Sequence, residues 1–599
     1  MPTIDVDYAE FERMLGIALN SDPDRVDEVL ALAKAEVKGF DEKTGMMSVE
    51  IKDTNRADTW NIEGLVRCLR GFLGLESGLR RYVAGKPVCE VSVDARLKGI
   101  RPYIACSVVK GVGLTDPIIR SLMQLQDKLD HTYGRNRRRT SIGLYDFDQI
   151  VAPLSYSVAK PDDASFVPLG FDVRMSLREI LGKHPKGLEY GAIVGGYSVW
   201  PILLDAEGKV LSFPPIINSN DLGRVTEATR NILVEVTGTV DETVLNTLTI
   251  VSLSLVDRGG RAYSATVHYP GGRSVVTPRF DSKPMELNVD YANKVLGLKL
   301  SGEQIGRLLL KAGYGVETAG RSIVRVRVPC YRIDIMHEVD LVEDVAIAYG
   351  YNNIRPLWRK LPTVGGVRPE QGLLDVAREL MVGLGFQEVL TYTMANPEML
   401  FAKMNLKTQA GAVKTGLGRA VEIANPKVQT LTCLRSWLLP RLMDFLGCNL
   451  HVEYPQRVFE LGRVTVHDGK AETRTRDVQT LAAVTCHGGA GFSEVKSCLD
   501  AFFMNLGLSW QVREAKHGSF VDGRVGRVVI ERGDVDAAEV KKKGKLIGGK
   551  AVQQDVEEVD VGFVGEVHPA VLEAWGLENP VAGFELNMDR VVGIISHNH

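Results

Sequence analysis

The chain is short of paired metal ligands and of uninterrupted apolar sequence. Its eight cysteines (Cys68, Cys89, Cys106, Cys330, Cys433, Cys448, Cys486 and Cys498) are scattered, with no CxxC and no histidine at ligand spacing, so neither a zinc module nor a disulfide framework is expected. A reducing, cytoplasmic setting fits that usage best. No segment reaches 18 consecutive apolar residues, and the opening MPTIDVDYAEFERMLG carries acids where a signal peptide needs basic residues followed by an apolar run. The expectation is a chain that neither enters nor crosses a membrane. Also missing are GxxxxGK[ST], GxSxG and HExxH, which removes the usual signatures of P-loop NTPases, α/β-hydrolases and zincins. The glycine-bearing stretches GYGVETAG and GGAGF lack a strand-turn-helix context and read as loops. Nor is there an excess of either charge: 72 basic against 75 acidic residues leave a net charge of −3, so any polyanion contact must be local.

What is present is ordinary globular composition, 45% hydrophobic and 25% charged, over 599 residues. That length is too great for one core and suggests about four domains. Residues 1–91 read as an α+β domain, with helical periods in FERMLGIAL and RVDEVLALAKAEV and a strand in MSVEIKD. From 92 to 268 strand-like runs dominate (RPYIACSVV, YSVWPILLD, NILVEVTGT, TLTIVSLSLV), with a helix near SLMQLQDKLDHTYG. After the break YPGGRSVVTP a smaller unit, 279–356, has helices in NVDYANKVLG and SGEQIGRLLLKAG and a strand in VRVRVP, which suggests a winged-helix-like module. A second break, LPTVGG, opens the remainder, 360–599, with the helix GLLDVARELMVGLGF and the strand EVLTYTM.

Three segments carry chemistry. In YRIDIMHEVDLVEDVAIAYGYNNI five carboxylates fall within eleven positions. At roughly 100° per residue Asp340, Glu343 and Asp344 share a helix face, with Asp334 just upstream. Oxygen ligands of this kind favour Mg²⁺, whereas the plainer alternative is a solvated acidic helix answered by Arg332. In HTYGRNRRRTSIGLYD, Arg135, Arg137, Arg138 and Arg139 place four guanidiniums in five positions, suited to nucleic-acid phosphates. Equally, they form a structural cluster facing Asp127, Asp130, Asp146 and Asp148. In SFPPIINSND and NILVEVTGT, Ser212, Asn218, Glu235 and Thr237 offer groups able to orient a water without a nucleophile-base couple, the alternative being turn chemistry beside a strand.

Taken in order, DTNRADTWNIEGLVR, the arginine-rich segment ending IGLYD, SFPPIINS, VTGT, VPCYRIDI with DLVEDVAIAYGYNNI, LRSWLLPRLM and RVFELGRV resemble the β subunit of phenylalanyl-tRNA synthetase, of the archaeal and eukaryotic cytosolic type. Seven motifs in order span nearly the whole chain, and the absence of the bacterial N-terminal and anticodon-binding extensions agrees with that type. The resemblance implies a multidomain α+β protein with a β-rich editing domain at 92–268, a winged-helix-like metal module at 279–356, and a class II synthetase antiparallel-sheet module at 360–599 that has lost its chemistry. It implies an α2β2 heterotetramer that joins phenylalanine to tRNA(Phe) with ATP, the active site lying on the α chain. By the same resemblance Asp334, Asp340, Glu343 and Asp344 hold Mg²⁺, and Ser212, Asn218, Glu235 and Thr237 form an editing pocket that hydrolyses Tyr-tRNA(Phe), although position 235 often carries a shorter acid. A second site that hydrogen-bonds the tyrosine hydroxyl discriminates far better than exclusion from a phenylalanine pocket. In RVFELGRV, Phe459 stands beside Glu460 where a polar reach to ATP is expected, and NMDRVVGII near Arg590 lacks preceding glycines. Competing readings are a free-standing aminoacyl-tRNA hydrolase, for which 360–599 has no use, and a noncatalytic nucleic-acid-binding scaffold, which the acidic helix disfavours.

Overall fold

The computed structural model describes residues 2–19, 22–358, 360–361, 363–406, 419–532 and 557–597. The chain forms two compact units, Met1–Trp358 and Arg359–His599.

The centre of the first unit is a ten-stranded sheet. In spatial order its main path runs Ile217–Asn218, Val210–Phe213, Trp200–Leu204, Leu154–Ala159, Gly85–Val93, Arg261–His268, Tyr103–Lys110, Asn231–Gly238 and Thr140–Asp146, with Ser274–Thr277 pairing on Arg261–His268. Gly85–Val93 and Ser274–Thr277 belong to this sheet, so the β-rich region begins before residue 92 and ends after 268, overlapping both expected boundaries.

Alternation within the strands separates two cores. Ile232, Val234 and Val236 face one, together with Ile142, Leu144, the helices Asp116–His131 and Asp241–Asp257, and the N-terminal residues Phe11, Leu65 and Leu69. Leu233 faces the other with Val91, Val108 and Tyr145. The helix Asp241–Asp257 corrects a strand expectation, since it contains TLTIVSLSLV. Its β-branched residues favour strands, but the segment is buried on nearly every side, so tertiary packing overrides propensity. Three of its hydroxyls are satisfied within the helix or across to a neighbour: Thr249 Oγ1 donates to Leu245 O at 2.9 Å, Ser254 Oγ to Ile250 O at 3.0 Å, and Ser252 Oγ pairs with Ser107 Oγ at 2.6 Å, whereas Thr247 Oγ1 has no partner.

The N-terminal region is a three-stranded sheet of Thr3–Asp7, Met46–Ile51 and Ala35–Asp41, with helices Tyr8–Leu15, Pro23–Ala31 and Ile62–Phe72. The last residues of RVDEVLALAKAEV therefore turn into a strand. Residues 283–349 form a second three-stranded antiparallel sheet, Lys283–Asn288, Ile323–Val328 and Gly315–Ala319, packed on helices Val289–Leu296, Gly302–Lys311 and Glu338–Tyr349. Most of GYGVETAG is thus a strand rather than a loop.

The second unit is built on a seven-stranded sheet in the order Gln387–Glu388, Gln456–His467, Thr475–Cys486, Val581–Asn587, Glu557–Val567, Phe520–Arg532 and Trp510–Glu514. All neighbours are antiparallel except the first pair. Of EVLTYTM, only Glu388 and Met394 are ladder-paired. Helices Pro369–Gly383, Phe492–Asn505 and Met588–His597 cover one face, and Leu439–Cys448 packs on the other. Among the described residues no helix is long and apolar enough to cross a membrane.

Candidate functional site

A cavity of about 650 Å³ opens beside the edge strand Thr140–Asp146. Helix Asp116–His131 supplies one wall through Leu122 and Gln126, the Phe213–Asn218 turn another, and Glu235 with Ser141 the floor. Ser212 and Asn218 face each other across the hairpin of Val210–Phe213 and Ile217–Asn218. Glu235 lies opposite Gly143, and Thr237 opposite Ser141. Period-two alternation therefore brings Ser141, Gly143, Tyr145, Glu235 and Thr237 to one face.

Glu235 is 2% exposed. Its Oε2 accepts a hydrogen bond from the Tyr145 hydroxyl at 2.9 Å, while Oε1 has no hydrogen-bond partner. Burial raises its carboxyl to about 7, against the lowering effects of the Tyr145 hydroxyl, the nearby Arg101 guanidinium and the Thr237 hydroxyl. A buried carboxyl raised toward neutrality among the residues lining a cleft is the kind of group found at functional sites. The Tyr145 hydroxyl also lies 3.4 Å from Asn218 Oδ1. A β-carbon at Gly143 would stand 2.2 Å from the Tyr145 hydroxyl and 2.6 Å from Glu235 Oε2, so glycine is what lets the two groups meet above that strand.

Thr237 is fully buried behind this floor. Its hydroxyl accepts from Arg101 Nε at 3.0 Å and lies 3.2 Å from Ser141 Oγ, while Arg101 Nη2 donates to Thr237 O at 2.7 Å. Thr237 thus supports the floor and is not among the residues lining the cavity, whereas Ser212, Asn218 and Glu235 are. Tyr145, Gly143 and Arg101 were not singled out from sequence as site residues. The available signal was IGLYD itself, a glycine inside a strand two places from a tyrosine, hence on the same face.

The arginine run divides. Arg135 and Arg138 are exposed and Arg139 is half-buried, but Arg137 is buried. Its Nε lies 3.0 Å from Asp130 Oδ2, Nη1 donates to Pro215 O at 3.1 Å and Ile216 O at 2.9 Å, and the guanidinium sits 4.5 Å from the Tyr190 ring centroid. That corrects the reading of all four arginines as phosphate contacts, because Arg137 points inward to a carboxylate and two carbonyls.

The four carboxylates of the acidic segment are likewise drawn to different partners. Asp334 pairs with Arg332 at 2.7 Å, and its Oδ1 lies 3.9 Å from Arg56 Nε. Asp344 is buried, pairs with Arg332 Nη1 at 2.7 Å and accepts from the Tyr314 hydroxyl at 2.5 Å. Asp340 Oδ2 accepts from the backbone N–H groups of Met336 and His337, both at 2.7 Å, which places it at the start of helix Glu338–Tyr349. Glu343 is exposed and pairs with Lys34, which also pairs with Asp53 at 3.2 Å. Among the described residues no three histidines, cysteines, aspartates or glutamates converge to hold a metal ion. The donor type suits Mg²⁺, but within this chain the four oxygen groups do not form a cage for it: Arg332 and Lys34 neutralise three, and backbone N–H groups engage the fourth.

In the second unit Phe459 is buried in the core on one sheet face and Glu460 lies on the other. Glu460 accepts from Arg435 Nη1 at 2.7 Å and from the Thr391 hydroxyl at 2.6 Å. Beside it the Glu585 carboxylate accepts from Leu438 N and Leu439 N, each within 3.0 Å, and burial raises it to about 7. Both acids are consumed by internal partners.

Residues 355–588 match the family model described as phenylalanyl tRNA synthetase beta chain CLM domain, and residues 285–351 match the tRNA synthetase B5 domain. Across the chain, the Phenylalanine--tRNA ligase beta subunit of Pyrococcus horikoshii is 40% identical over 588 residues, 98% of this chain and 99% of that relative. This chain belongs to the phenylalanine–tRNA ligase β-subunit family. The same-named protein of Archaeoglobus fulgidus is 39% identical over 588 residues, 98% of each chain. A solved N-terminal fragment of the phenylalanyl-tRNA synthetase β subunit from P. horikoshii is similar to part of this chain. It aligns with a TM-score of 0.57 and 40% identity, covering 58% of this chain and 100% of the fragment. Membership makes the chain a subunit of an aminoacyl-tRNA synthetase.

Proposed function

We propose that this chain assembles with a phenylalanyl-tRNA synthetase α subunit, as an α2β2 heterotetramer in the cytoplasm, and hydrolyses tyrosine wrongly esterified to tRNA(Phe) in the cavity floored by Glu235. ATP and Mg²⁺ then serve phenylalanine activation on the α chain. The observation that carries the hydrolytic reading is the buried Glu235 carboxyl, bonded by Tyr145 through Oε2 and without a hydrogen-bond partner on Oε1, among the residues that line a 650 Å³ cavity. A tyrosine hydroxyl entering that cavity donates to Glu235 Oε1; a phenylalanyl ring has nothing to offer it and leaves the buried acceptor unmatched. Ser212 and Asn218 line the same wall and supply polar groups for the ester and for a water. The cavity contains no serine-histidine or cysteine-histidine couple among its lining residues. Water therefore attacks the ester carbonyl directly: the acyl C–O bond breaks, tyrosine leaves as the acid, and the ribose oxygen takes the proton.

Arg135, Arg138 and Arg139, on the turn that follows the cavity-wall helix, are proposed to meet tRNA phosphates. The second unit is proposed to be a class II synthetase module retained as a partner for the α chain, its Glu460 and Glu585 serving structure. Charging and deacylation assays on the chain co-expressed with its α partner test the proposal. Glu235→Ala and Asn218→Ala are expected to abolish Tyr-tRNA(Phe) deacylation while leaving phenylalanine charging intact; deacylation unchanged in both variants would place hydrolysis elsewhere.

A further inference from the structure

Helix Asp116–His131 ends in a turn of unusual backbone. Arg135, Asn136 and Arg137 adopt successive left-handed conformations, at φ of 50°, 52° and 61°. Such residues each cost of order 1 kcal/mol, and a run of three persists only where the surroundings over-determine it. Here the turn folds back on the helix end, with Asn136 N donating to His131 O at 3.1 Å and Arg137 N to Asp130 O at 3.0 Å. Gly134 permits the closure, since a β-carbon there would meet Thr140 O at 2.7 Å and Asp130 O at 2.8 Å. The result is that one arginine of the run is turned inward while its neighbours Arg135 and Arg138 remain outside.

The inward side chain reaches the cavity. Arg137 Nη1 holds the carbonyls of Pro215 and Ile216, which form the turn joining Ser212 to Asn218, the two polar residues of that wall. The carbonyl of Arg137 accepts from Arg101 Nη1 at 3.0 Å, and Arg101 donates in turn to Thr237 behind Glu235. Asp130 and Tyr190 fix the guanidinium from the remaining sides. One residue is therefore bonded both to the hairpin wall and, through Arg101, to the floor.

We infer that Arg137 is a positioning residue for the hydrolytic cavity, holding the Pro214–Ile216 turn so that Ser212 and Asn218 stand at a set distance from Glu235, and thereby joining the exposed arginine turn to the cavity. The inference rests on the hydrolytic reading for its kinetic consequence but not for its structural one. A lysine at 137 keeps the charge but has one nitrogen where the planar guanidinium has two in use, Nη1 on both carbonyls and Nε facing Asp130, so it cannot hold the turn and face Asp130 from the same place. In the co-expressed complex, Arg137→Lys is expected to lower kcat for Tyr-tRNA(Phe) deacylation by about tenfold or more at near-constant KM, as expected for a shifted wall. Arg135→Ala/Arg138→Ala is expected to raise KM and flatten its salt dependence with kcat retained. Phenylalanine charging should be unaffected by Arg137→Lys. Hydrogen exchange provides the separate readout: Arg137→Lys should lose protection across residues 211–219 and not across the second unit. Unchanged exchange there overturns the inference whatever the kinetics. Faster exchange with no deacylation even in wild type retains Arg137 as a wall-holding residue and defeats the hydrolytic reading instead. A kcat that does not move in an active complex overturns the positioning role.

Discussion

Replacing Glu235 by glutamine should change how stability depends on pH. The carboxyl rises from an ordinary 4.5 to about 7 because burial disfavours its charged form. Between those values the folded chain binds more protons at this site than the unfolded chain, so folding stability falls as pH increases from about 4.5 to 7 and is level beyond. A displacement of this size corresponds to roughly 3 kcal/mol at pH 8. Glutamine is near-isosteric, its amide oxygen still accepts from Tyr145, and it does not titrate. Thermal unfolding of the full chain, run in parallel for wild type and Glu235→Gln from pH 4.5 to 8.5, should show the variant gaining on wild type by about 4 °C for the transition of the first unit as pH rises. Asp130 and Glu585, also raised to about 7 by burial, are common to both proteins and cancel in the difference. Curves that stay parallel within a degree would mean that Glu235 titrates as an exposed carboxylate, and the picture of a buried, half-satisfied acid would be wrong.

Other perturbations follow the same logic. Gly143→Ala forces its new methyl against the Tyr145 hydroxyl and Glu235, so deacylation should fall at least tenfold with a stability loss of about 1–3 kcal/mol, read by activity and melting together. Arg332→Met strands the buried carboxylates of Asp334 and Asp344; a cost of about 3–5 kcal/mol is expected, and adding Asp344→Asn should recover part of it if the pair is as described. His517 is buried among Trp437, Phe520 and Phe563, and burial lowers its imidazole to about 4. The unfolded chain then binds more protons between about 6.5 and 4, so stability contributed by neutral His517 is lost as pH falls through that window, and His517→Phe should flatten the acid limb measured by melting. Removing divalent cations from the isolated chain with EDTA should leave its melting temperature unchanged within a degree. A fall of several degrees reversed by Mg²⁺ would show that Asp334, Asp340, Glu343 and Asp344 do gather around an ion.

Local pattern was enough for much of the architecture. Alternation in RPYIACSVV and NILVEVTGT gave neighbouring strands, and the capped, periodic SGEQIGRLLLKAG gave a helix closed by its own Ser301–Gln304 capping box. These are short-range effects, settled within one turn or a few ladder positions. TLTIVSLSLV shows where that stops. Its residue types speak for a strand, and only burial between a sheet and the N-terminal helices makes it a helix.

The site divides along the same line. Residue types alone determined that SFPPIINS and NILVEVTGT hold polar groups, that 135–139 is cationic and that 334–344 is acidic. They did not determine which way those charges face. Arg137 turns inward because three left-handed residues redirect it to Asp130 and two carbonyls, and Asp344 turns inward because Arg332 and Tyr314 wait there. Both choices depend on partners many residues away or on backbone conformations that an L-residue seldom adopts, and neither is encoded in spacing. The same holds for the free oxygen of Glu235: the acid is in the sequence, but its desolvation, its tyrosine partner and its raised proton affinity exist only once strands 140–146 and 231–238 are paired. Charge is a property of the residue; what answers the charge is a property of the fold.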